Sequence, residues 1–387
     1  MNAGVEMSAT EAHSVGLIGL GNIGGFAAEL AARLPGVESL VLADRDAYET
    51  RNVCAQNITT CEVGRAKALV QAERACRINP KLRVTAIVDD IESMPLGLLR
   101  TSVLLAGLDS RRARQCVNQA AWRLGLPWID AGVRADGLLA RVNVYRPGAD
   151  QPCLECPWDQ RDYDGIEQTY ACGGDATVPT ATNAPASLGA LAAALQVLEC
   201  QKLLAGQWDS VAVAKQLIID ANGHKQLVSS LRPNSSCRFD HAIWHIDRLE
   251  SDAHHLRIGE AFALGSLLPG GATGLRIEGR VFVKKLTCRC GETRELFWKL
   301  SGRLGDARRC VRCQRPMQSS GLDAREWLRE KDLSPEEIDQ PFANFGFRSG
   351  DIFTLRSADG ERHFELGAGD TADSAAAEAP QQFGACG

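Results

Sequence analysis

The segment Gly19-Leu20-Gly21-Asn22-Ile23-Gly24 constrains the fold of this chain more than any other feature. It follows the apolar run Val15–Ile18 and precedes the helix-like run Phe26–Leu34. Glycines let the backbone approach a phosphate closely, and the free N–H groups at a helix start face the anion. Asp44 ends a second apolar run, Ser39–Ala43, where an acidic side chain usually binds a ribose hydroxyl. The pattern predicts a nucleotide site, and by itself it fits NAD, FAD, SAM or ATP.

Strand and helix patterns alternate through the first 150 residues. Further short apolar runs that predict strands are Arg83–Val88, Thr101–Ala106, Pro127–Asp130 and Leu138–Tyr145. Helix-like runs cover Arg65–Ile78 and Ser110–Leu124. Repeated βα units of this kind predict an α/β fold with a doubly wound, mostly parallel, Rossmann-like sheet. Its ligands are expected beyond the carboxyl ends of the strands.

Composition narrows the class of protein. A length of 387 residues predicts two domains, and a formal net charge of −5 gives no reason to expect nucleic acid or an anionic membrane as partner. The most apolar helical stretch, Ala184–Leu204, is interrupted by polar side chains and is interpreted as a core-facing helix. Met1–His13 lacks the pattern of a signal peptide. Fourteen cysteines without such a signal indicate a reducing compartment, which we expect to be the cytoplasm.

The composition shifts near Ile243–Leu256, which predicts a domain boundary. Residues 1–246 form the first predicted domain, with a polar crossover loop at 157–185. Residues 247–366 form a smaller α+β domain. It contains a helix start at Ser334–Glu337 and a hairpin that pairs Ile352–Leu355 with Arg362–Leu366. Residues 367–387 are rich in Ala, Gly, Asp and Gln and are predicted to be a disordered tail.

Residues 14 to about 241 resemble the ubiquitin-activating-enzyme superfamily, in particular its ThiF/MoeB/HesA-like branch. The resemblance extends well beyond the glycine turn. The matching segments are Asp44–Asn52 with Gln56, Val63–Lys67, Ile78–Pro80, Asp109–Asn118, Cys153–Cys156 and the late Cys237. The pattern is specific for the superfamily and does not identify the substrate.

The resemblance implies an ATP-dependent activator of carboxylates. Lys67 matches the phosphate-contacting lysine, Asp109 the magnesium-linked aspartate and Asp44 the ribose ligand. The expected nucleotide-binding set is Gly19, Gly21, Gly24, Asp44, Asp46, Asn52, Gln56, Lys67 and Asp109, with weaker matches at Arg114 and Asn118. Taken singly, Lys67 could be a solvated helix lysine and Asp109 a helix N-cap. Their joint occurrence in register favours function.

One position departs from the family pattern. The arginine that usually precedes the glutamine is replaced by Ala55, which removes a positive charge expected beside the triphosphate. Arg45 or Arg51 of the same loop could supply that charge. The departure keeps a catalytically degenerate scaffold open as an alternative. An NAD-dependent oxidoreductase is a weaker alternative, because it leaves Lys67 and Asp109 unexplained.

Cysteine spacing predicts two zinc sites. Relatives complete the first site with two cysteine pairs, whereas this chain offers Cys153, Cys156, Cys237 and His241, a Cys₃His set. Asp240 is the poorer fourth ligand, and two buried cysteines with a surface histidine are the structural alternative. Cys288, Cys290, Cys310 and Cys313 predict a zinc ribbon over 286–315.

The ribbon lies in a basic run. Residues 280–317 hold eleven Lys or Arg against three acidic residues, a net charge of +8. Such a ribbon can bind nucleic acid, dock an acidic protein or present a solvated face. A protein partner is favoured, because the rest of the chain offers no platform for nucleic acid.

Cys172 is the candidate nucleophile, because relatives that pass the activated carboxylate to sulfur carry their cysteine on the crossover loop. A spectator thiol is the alternative. As a nucleophile, Cys172 would form the catalytic set together with Asp109 and Lys67. The implied reaction is adenylation of the C-terminal glycine of a ubiquitin-like or sulfur-carrier protein by ATP and Mg²⁺, followed by a thioester on Cys172. The implied partners are that carrier, a conjugating enzyme and a second copy of the chain.

Overall fold

The computed structural model describes residues 12–171, 184–265, 271–319, 321–358, 360–367 and 381–383. These residues form two compact units. The first takes in the described parts of 1–91, 99–243 and 375–387, and the second takes in 92–98 and the described parts of 244–374. The chain therefore changes unit after Ile243, where the composition shifts. Residues 92–98, although they lie among the first 150 residues, belong to the second unit.

One large sheet forms the framework of the first unit. Its first eight strands are β1 (His13–Ile18), β2 (Val37–Ala43), β3 (Arg83–Ile87), β4 (Val103–Ala106), β5 (Trp128–Arg134), β6 (Leu139–Tyr145), β7 (Lys215–Asp220) and β8 (Lys225–Ser230). Strands β3, β2, β1, β4 and β5 lie side by side in that order and are parallel. Strands β6, β7 and β8 extend the sheet in antiparallel pairs. The predicted parallel sheet is confirmed at its centre, and short turns after β5 and β7 reverse the chain because no crossover helix follows either strand.

The described residues of the first unit also form five α-helices. They are α1 (Gly24–Ala31), α2 (Lys67–Ile78), α3 (Arg111–Leu124), α4 (Gln160–Ala171) and α5 (Ala186–Leu204). Ile129 and Ala131 of β5 pack in the core that α5 completes. Asp130, between them, forms an ion pair with Arg114 of α3. Since alternate residues of a strand point to opposite faces, α5 and α3 lie on opposite sides of the sheet.

Helix α5 is a core helix, as predicted. Its buried residues include Leu188, Ala192 and Val197. The amide of buried Gln196 donates to the carbonyls of Ala106, at 3.0 Å, and Ile129, at 2.7 Å. The Gln196 side chain is therefore hydrogen-bonded to backbone carbonyls of β4 and β5 inside the core, and not to water. Among the described residues, no helix is both long and apolar enough to cross a membrane.

Helix α4 corrects the prediction that 157–185 is a loop. Asp159 Oδ1 accepts hydrogen bonds from the backbone N–H groups of Arg161, at 2.8 Å, and Asp162, at 3.2 Å. Asp162 Oδ2 in turn accepts from the N–H of Asp159 at 3.0 Å. These caps satisfy the free donors of the first turn, so a polar segment can be helical. Residues 172–183, with Cys172, lie outside the described part of the chain.

The described residues of the second unit form two small sheets and two short α-helices. Its elements are β9 (Ile246–Arg248), α6 (Ile258–Leu264), β10 (Gly274–Ile277), β11 (Phe282–Thr287), β12 (Thr293–Leu300), β13 (Ala324–Arg325), α7 (Pro335–Ile338), β14 (Ile352–Arg356) and β15 (Glu361–Glu365). The sheet orders are β10-β14-β15-β9 and β12-β11-β13. The predicted hairpin is β14–β15, and Ser334 caps α7 by accepting from the N–H of Glu337 at 3.2 Å. Phe342, Phe345 and Phe353 lie in its main apolar core.

A sixteenth strand, β16 (Gln381–Phe383), corrects the prediction that 367–387 is disordered throughout. It pairs antiparallel with β3, through Gln381 and Ala86, Gln382 and Thr85, and Phe383 and Val84. Without it, β3 would be the outer strand of the sheet and its backbone groups would lack partners on that side. Pairing with β3 explains why residues 381–383 form a strand although the surrounding sequence has low strand propensity.

Candidate nucleotide and metal sites

The glycine turn joins β1 to α1 in a conformation that excludes side chains. Gly19 has a φ of +82°, in the left-handed region that favours glycine. A Cβ placed on Gly24 would lie 1.8 Å from the carbonyl oxygen of Gly19. The turn is therefore tight because both positions lack a side chain, and it presents backbone at the start of α1.

Asp44 holds this turn from the end of β2. Its Oδ2 accepts a hydrogen bond from the N–H of Leu20 at 2.7 Å, and its Oδ1 accepts from the N–H of Asp46 at 2.8 Å. Burial raises the pKa of Asp44 above its ordinary value, although Lys67 and the two N–H groups oppose that shift. Each carboxylate oxygen has a second lone pair, so the group can also accept from a ribose hydroxyl.

Lys67 is not a solvated helix lysine. Its side chain is 10% exposed, and its Nζ lies 3.0 Å from Oδ2 of Asp46. The N–H of Lys67 also donates to the carbonyl of Asp46 at 2.9 Å. The start of α2 thus fixes a buried ammonium group next to the segment that follows Asp44.

Two buried acceptors near the turn have no donor among the described residues. They are Oε1 of Gln56 and Oδ1 of Asn22. The other side of the Asn22 amide donates to the carbonyls of Ala55 and Ala184. Oδ1 of Asn22 packs against Gly189 of α5, whereas the amide of Gln56 lies beside Gly21 of the turn. Buried acceptors without a donor are costly, so Gln56 is the acceptor placed for a ligand that carries N–H or O–H groups. Asn52 is already used in the fold, because its Oδ1 accepts from the N–H of Glu49 at 2.8 Å.

Asp109 is exposed and lies directly before α3. The N-cap of α3 is Ser110, whose Oγ accepts from the N–H of Ala113 at 3.1 Å. Asp109 is therefore not the N-cap. The pKa of Arg45 is raised by its hydrogen bond to Asp90 and, more weakly, by Asp109. Asp109 thus lies near the loop after β2.

The two arginines that could replace the charge lost at Ala55 already have carboxylate partners. Arg45 Nη1 lies 2.5 Å from Oδ2 of Asp90, and Arg51 Nε lies 2.6 Å from Oε2 of Glu49. Both arginine side chains are more than half exposed. Exposed ion pairs are weak, so either arginine can change partner at small cost.

Arg114 and Asn118 serve the fold. Arg114 Nε lies 3.2 Å from Oδ1 of fully buried Asp130. Burial lowers the pKa of Arg114, and Asp130 opposes that shift. Asn118 Oδ1 accepts from the N–H of Leu154 at 3.1 Å, in the segment between the first two cysteines. Both residues therefore support elements around the site.

The first cysteine cluster assembles as the sequence predicts. The Sγ atoms of Cys153, Cys156 and Cys237 and a ring nitrogen of His241 all lie within 4.8 Å of one another. Cys153 Sγ is 3.8 Å from both other Sγ atoms, and Cys156 Sγ is 3.3 Å from Nε2 of His241. Asp240 Oδ1 instead lies 2.5 Å from Nη1 of Arg123. His241 is therefore the candidate fourth ligand, and Asp240 is not.

The second cluster closes two turns of the smaller three-stranded sheet. Cys288 and Cys290 lie in the turn between β11 and β12, and Cys310 and Cys313 lie in a later turn. The four Sγ atoms are within 4.8 Å of one another. The Sγ–Sγ distances are 3.4 Å between Cys288 and Cys313 and 3.6 Å between Cys290 and Cys310.

Part of the basic run around this cluster is not on the surface. Arg280 and Arg303 both form ion pairs with fully buried Asp351. Burial lowers the pKa of Arg280 to about 10, an effect that Asp351 opposes. The exposed arginines of the two cysteine turns are Arg289, Arg308, Arg309, Arg312 and Arg315. The net charge of the run therefore overstates its surface charge.

Sequence reasoning missed two buried polar groups that hold these sites. Tyr48 OH donates to the carbonyl of Leu20 at 2.9 Å and accepts from Gln71 Nε2 at 2.8 Å, so it supports the glycine turn from α2. Glu155 lies between Cys153 and Cys156 of the first cluster and is 2% exposed. A tyrosine among polar residues and a glutamate in a cysteine pair give no sequence signal of burial.

Comparison with known proteins identifies the family. Residues 5–239 match the model of the ThiF family. The sulfur carrier protein ThiS adenylyltransferase of Escherichia coli strain K12 is 33% identical over 193 residues, which cover 49% of this chain and 71% of that protein. Ubiquitin-like modifier-activating enzyme 5 of Dictyostelium discoideum is 28% identical over 158 residues, which cover 37% of this chain and 41% of that protein. The crystal structure of E. coli MccB with succinimide has a TM-score of 0.49 at 20% identity, and the match covers 59% of this chain and 67% of that one. Because the family match covers more than half of its residues, this chain belongs to the ThiF family.

Proposed function

We propose that this protein uses ATP and Mg²⁺ to adenylate the C-terminal glycine of a ubiquitin-like or sulfur-carrier protein. In that step a carboxylate oxygen of the glycine attacks the α-phosphorus of ATP. The bond to the β-phosphate oxygen breaks, and acyl-adenylate and pyrophosphate form. In a second step the thiolate of Cys172 attacks the acyl carbon and displaces AMP, leaving a thioester. Relatives named as adenylyltransferases and activating enzymes support an enzyme of this kind.

The position of Lys67 is the observation that carries the proposal. An ammonium group that is 10% exposed is held beside the loop that contains Asp44 and next to the glycine turn. Reaction between a carboxylate and a triphosphate needs positive charge that is already in place. The unpartnered Oε1 of Gln56, beside Gly21 of the turn, supplies an acceptor for a donor group of the nucleotide.

Asp109 is the proposed Mg²⁺ ligand. It is exposed and lies after β4, and it is free to bind an ion because Ser110, and not Asp109, caps α3. Mg²⁺ is typically bound by one or two carboxylates together with substrate phosphates, and the ion would neutralise developing charge there. Asp44 and Asp46 remain the proposed ribose-side residues.

We further propose that both cysteine clusters hold structural zinc. A Zn–S bond of about 2.3 Å in a tetrahedral site places two sulfurs about 3.8 Å apart. The separations of 3.8 Å around Cys153 fit that geometry, and those of 3.4 and 3.6 Å in the second cluster are close to it. Each set offers four protein ligands, which is typical of a structural rather than a catalytic site. The second cluster with β11 and β12 would then be the zinc ribbon.

The carrier protein is the proposed partner, bound through its C-terminal tail, with a conjugating enzyme downstream and a homodimer as the assembly. We place the protein in the cytoplasm, because none of the twelve cysteines of the described residues forms a disulfide and seven of them are proposed zinc ligands. Neither nucleic acid nor membrane is part of this proposal.

A non-adenylating scaffold is the second candidate, and Ala55 is the observation that favours it. Arg45 and Arg51 would have to leave Asp90 and Glu49 to replace the missing charge. In a scaffold the zinc ribbon would bind the partner. Titration of the folded protein with ATP separates the two functions, because the scaffold needs no nucleotide.

Pyrophosphate exchange with small proteins that end in glycine tests the first step. We expect exchange of label between pyrophosphate and ATP that depends on one such protein. No exchange with any candidate encoded beside this chain, together with no ATP binding, would support the scaffold. A thioester that is released by thiols and absent in Cys172→Ala tests the second step. Persistence of the thioester in that variant would assign the acceptor to another cysteine.

A further inference from the structure

Glu155 is a buried carboxylate inside the first metal cluster. It lies between the ligands Cys153 and Cys156 and is 2% exposed. Four uncharged side chains donate to it: Gln115 at 2.8 Å, Gln119 at 3.2 Å, Asn118 at 3.4 Å and the hydroxyl of Tyr163 at 3.2 Å. Three of these donors come from α3, and Tyr163 belongs to α4.

Tyr163 also contacts the segment that contains Cys237, the third cysteine of the cluster. The guanidinium of Arg238, which follows the ligand Cys237, lies 4.1 Å from the ring centroid of Tyr163. The same arginine donates to the side chain of Gln160 at the start of α4. One aromatic ring is thus in contact with residues next to ligands from both halves of the cluster.

A third contact fixes the same turn of the helix to α3. Arg111, the first residue of α3, forms an ion pair with Asp162. Gln160, Asp162 and Tyr163 therefore connect the first turn of α4 to the metal cluster and to α3. The contacts are concentrated at one end of α4, and Cys172 follows its last residue, Ala171, in the sequence.

We propose that Glu155 and Tyr163 are positioning residues that couple the first metal cluster to α4, so that loading of the cluster orders the helix leading to Cys172. The acyl-transfer part of this inference rests on the function proposed above. The structural part does not depend on it. Neither residue touches the nucleotide loop, so the adenylation step is expected to be unaffected.

The coupling has a physical cause. A buried carboxylate is stable only while its donors are in place, and removing one donor costs more than the hydrogen bond itself. The two cysteines that flank Glu155 fix its backbone when a metal holds them. When the cluster opens, the carboxylate moves and Tyr163 loses its acceptor. Helix α4 then keeps its own caps and its Arg111–Asp162 ion pair to α3, but it loses its hydrogen bond to the cluster.

Hydrogen exchange of residues 160–171 tests the structural part on the full-length, metal-loaded protein. Tyr163→Phe removes only the hydroxyl, and Glu155→Gln removes the charge at constant shape. We expect each to speed exchange in this helix about tenfold, the factor for a lost hydrogen bond to a buried charge. The effect of the double variant should be close to that of either single one, because both act through one contact. Arg161→Ala, on the exposed face of α4, is the matched control and should leave exchange beyond the capped first turn unchanged.

Metal removal and turnover complete the test. Chelation should speed exchange in 160–171 of the wild type and add little in Tyr163→Phe, with β1 and β4 still protected. Pyrophosphate exchange should stay within about twofold of the wild type in Tyr163→Phe, while thioester formation falls about tenfold or more. Unchanged exchange of α4 in both Tyr163→Phe and the chelated protein would overturn the inference. Absence of pyrophosphate exchange in the wild type would instead overturn the proposed function, and α4 exchange would still decide the coupling. If Glu155→Gln does not fold, Tyr163→Phe decides alone.

Discussion

Lys67 and Asp46 form an ion pair whose two members differ greatly in exposure. The Nζ–Oδ2 distance is 3.0 Å, the lysine side chain is 10% exposed, and the aspartate side chain is 56% exposed. The cation is therefore fixed by the fold, whereas the anion can turn toward water when another anion arrives. A triphosphate can displace Asp46 from Lys67 at a small cost, because an ion pair with one exposed partner is weak.

Lys67→Ala should weaken ATP binding about tenfold to a hundredfold, because it removes a charge-assisted contact worth about 1.5–3 kcal/mol. Calorimetric titration with ATP and Mg²⁺ measures the change. Lys81→Ala is the matched control, because Lys81 is exposed and forms no ion pair among the described residues. Equal affinities of Lys67→Ala and the wild type would remove Lys67 from the nucleotide site.

Gly24→Ala should unfold or strongly destabilise the first unit. The new Cβ would lie 1.8 Å from the carbonyl oxygen of Gly19, so the turn has to move. We expect a loss of about 3 kcal/mol, measured by denaturant unfolding, together with loss of ATP binding. Gly165→Ala is the control, because a Cβ there has no atom within 4 Å and α4 should gain slightly in stability. Similar stability of the two variants would contradict the geometry of the turn.

Elemental analysis should find two zinc ions per chain. Cys310→Ser should lose one of them, and Cys237→Ser should lose the other, because a structural site with three ligands binds zinc weakly. His241→Cys should retain both ions, since it gives the first cluster four thiolate ligands. A wild type with one zinc, unchanged in Cys237→Ser, would show that the Cys₃His set does not hold the metal.

The stability of the second unit should fall in acid partly through Asp332. Hydrogen bonds from Arg329 and Arg325 lower the pKa of Asp332 against the effect of burial. The ionised form is therefore favoured in the fold. Its contribution is present above the unfolded pKa of about 4 and is lost as the pH falls toward the lowered value. Asp332→Asn should cost about 1 kcal/mol at pH 7 and less near pH 2, where the carboxyl of the unfolded chain is already protonated, measured by urea unfolding. Asp339→Asn, at an exposed ion pair with Arg257, should be nearly neutral at both.

Local patterns predicted the parts of this molecule that local interactions determine. The strand before the glycine turn, the helix after it, the core helix α5 and the β14–β15 hairpin follow from apolar runs and turn residues. The cysteine spacings predicted which residues meet in both clusters. The sequence also favoured His241 over Asp240 as the fourth member of the first cluster, but it did not predict that Asp240 pairs with Arg123, which lies 117 residues away. Contacts over that separation cannot be inferred from spacing.

The same limit explains the corrections. Helix α4 is polar, and it is stabilised by the Asp159 caps and by the hydrogen bond from Tyr163 to Glu155 beside the first cysteine cluster. Strand β16 has three residues, and its order comes from the partner strand β3. Neither segment contains enough apolar periodicity to be assigned from its own residues.

The pairing of β16 with β3 has a practical consequence for dissecting this protein. The first unit takes its last strand from beyond the second unit, and the second unit takes residues 92–98 from within the first. A fragment that stops at residue 243 would lose β16, leave β3 as a bare and aggregation-prone edge, and retain 92–98 without their own unit. Neither unit can therefore be produced intact by a single cut. Functional assignments to one unit should come from point substitutions in the whole chain.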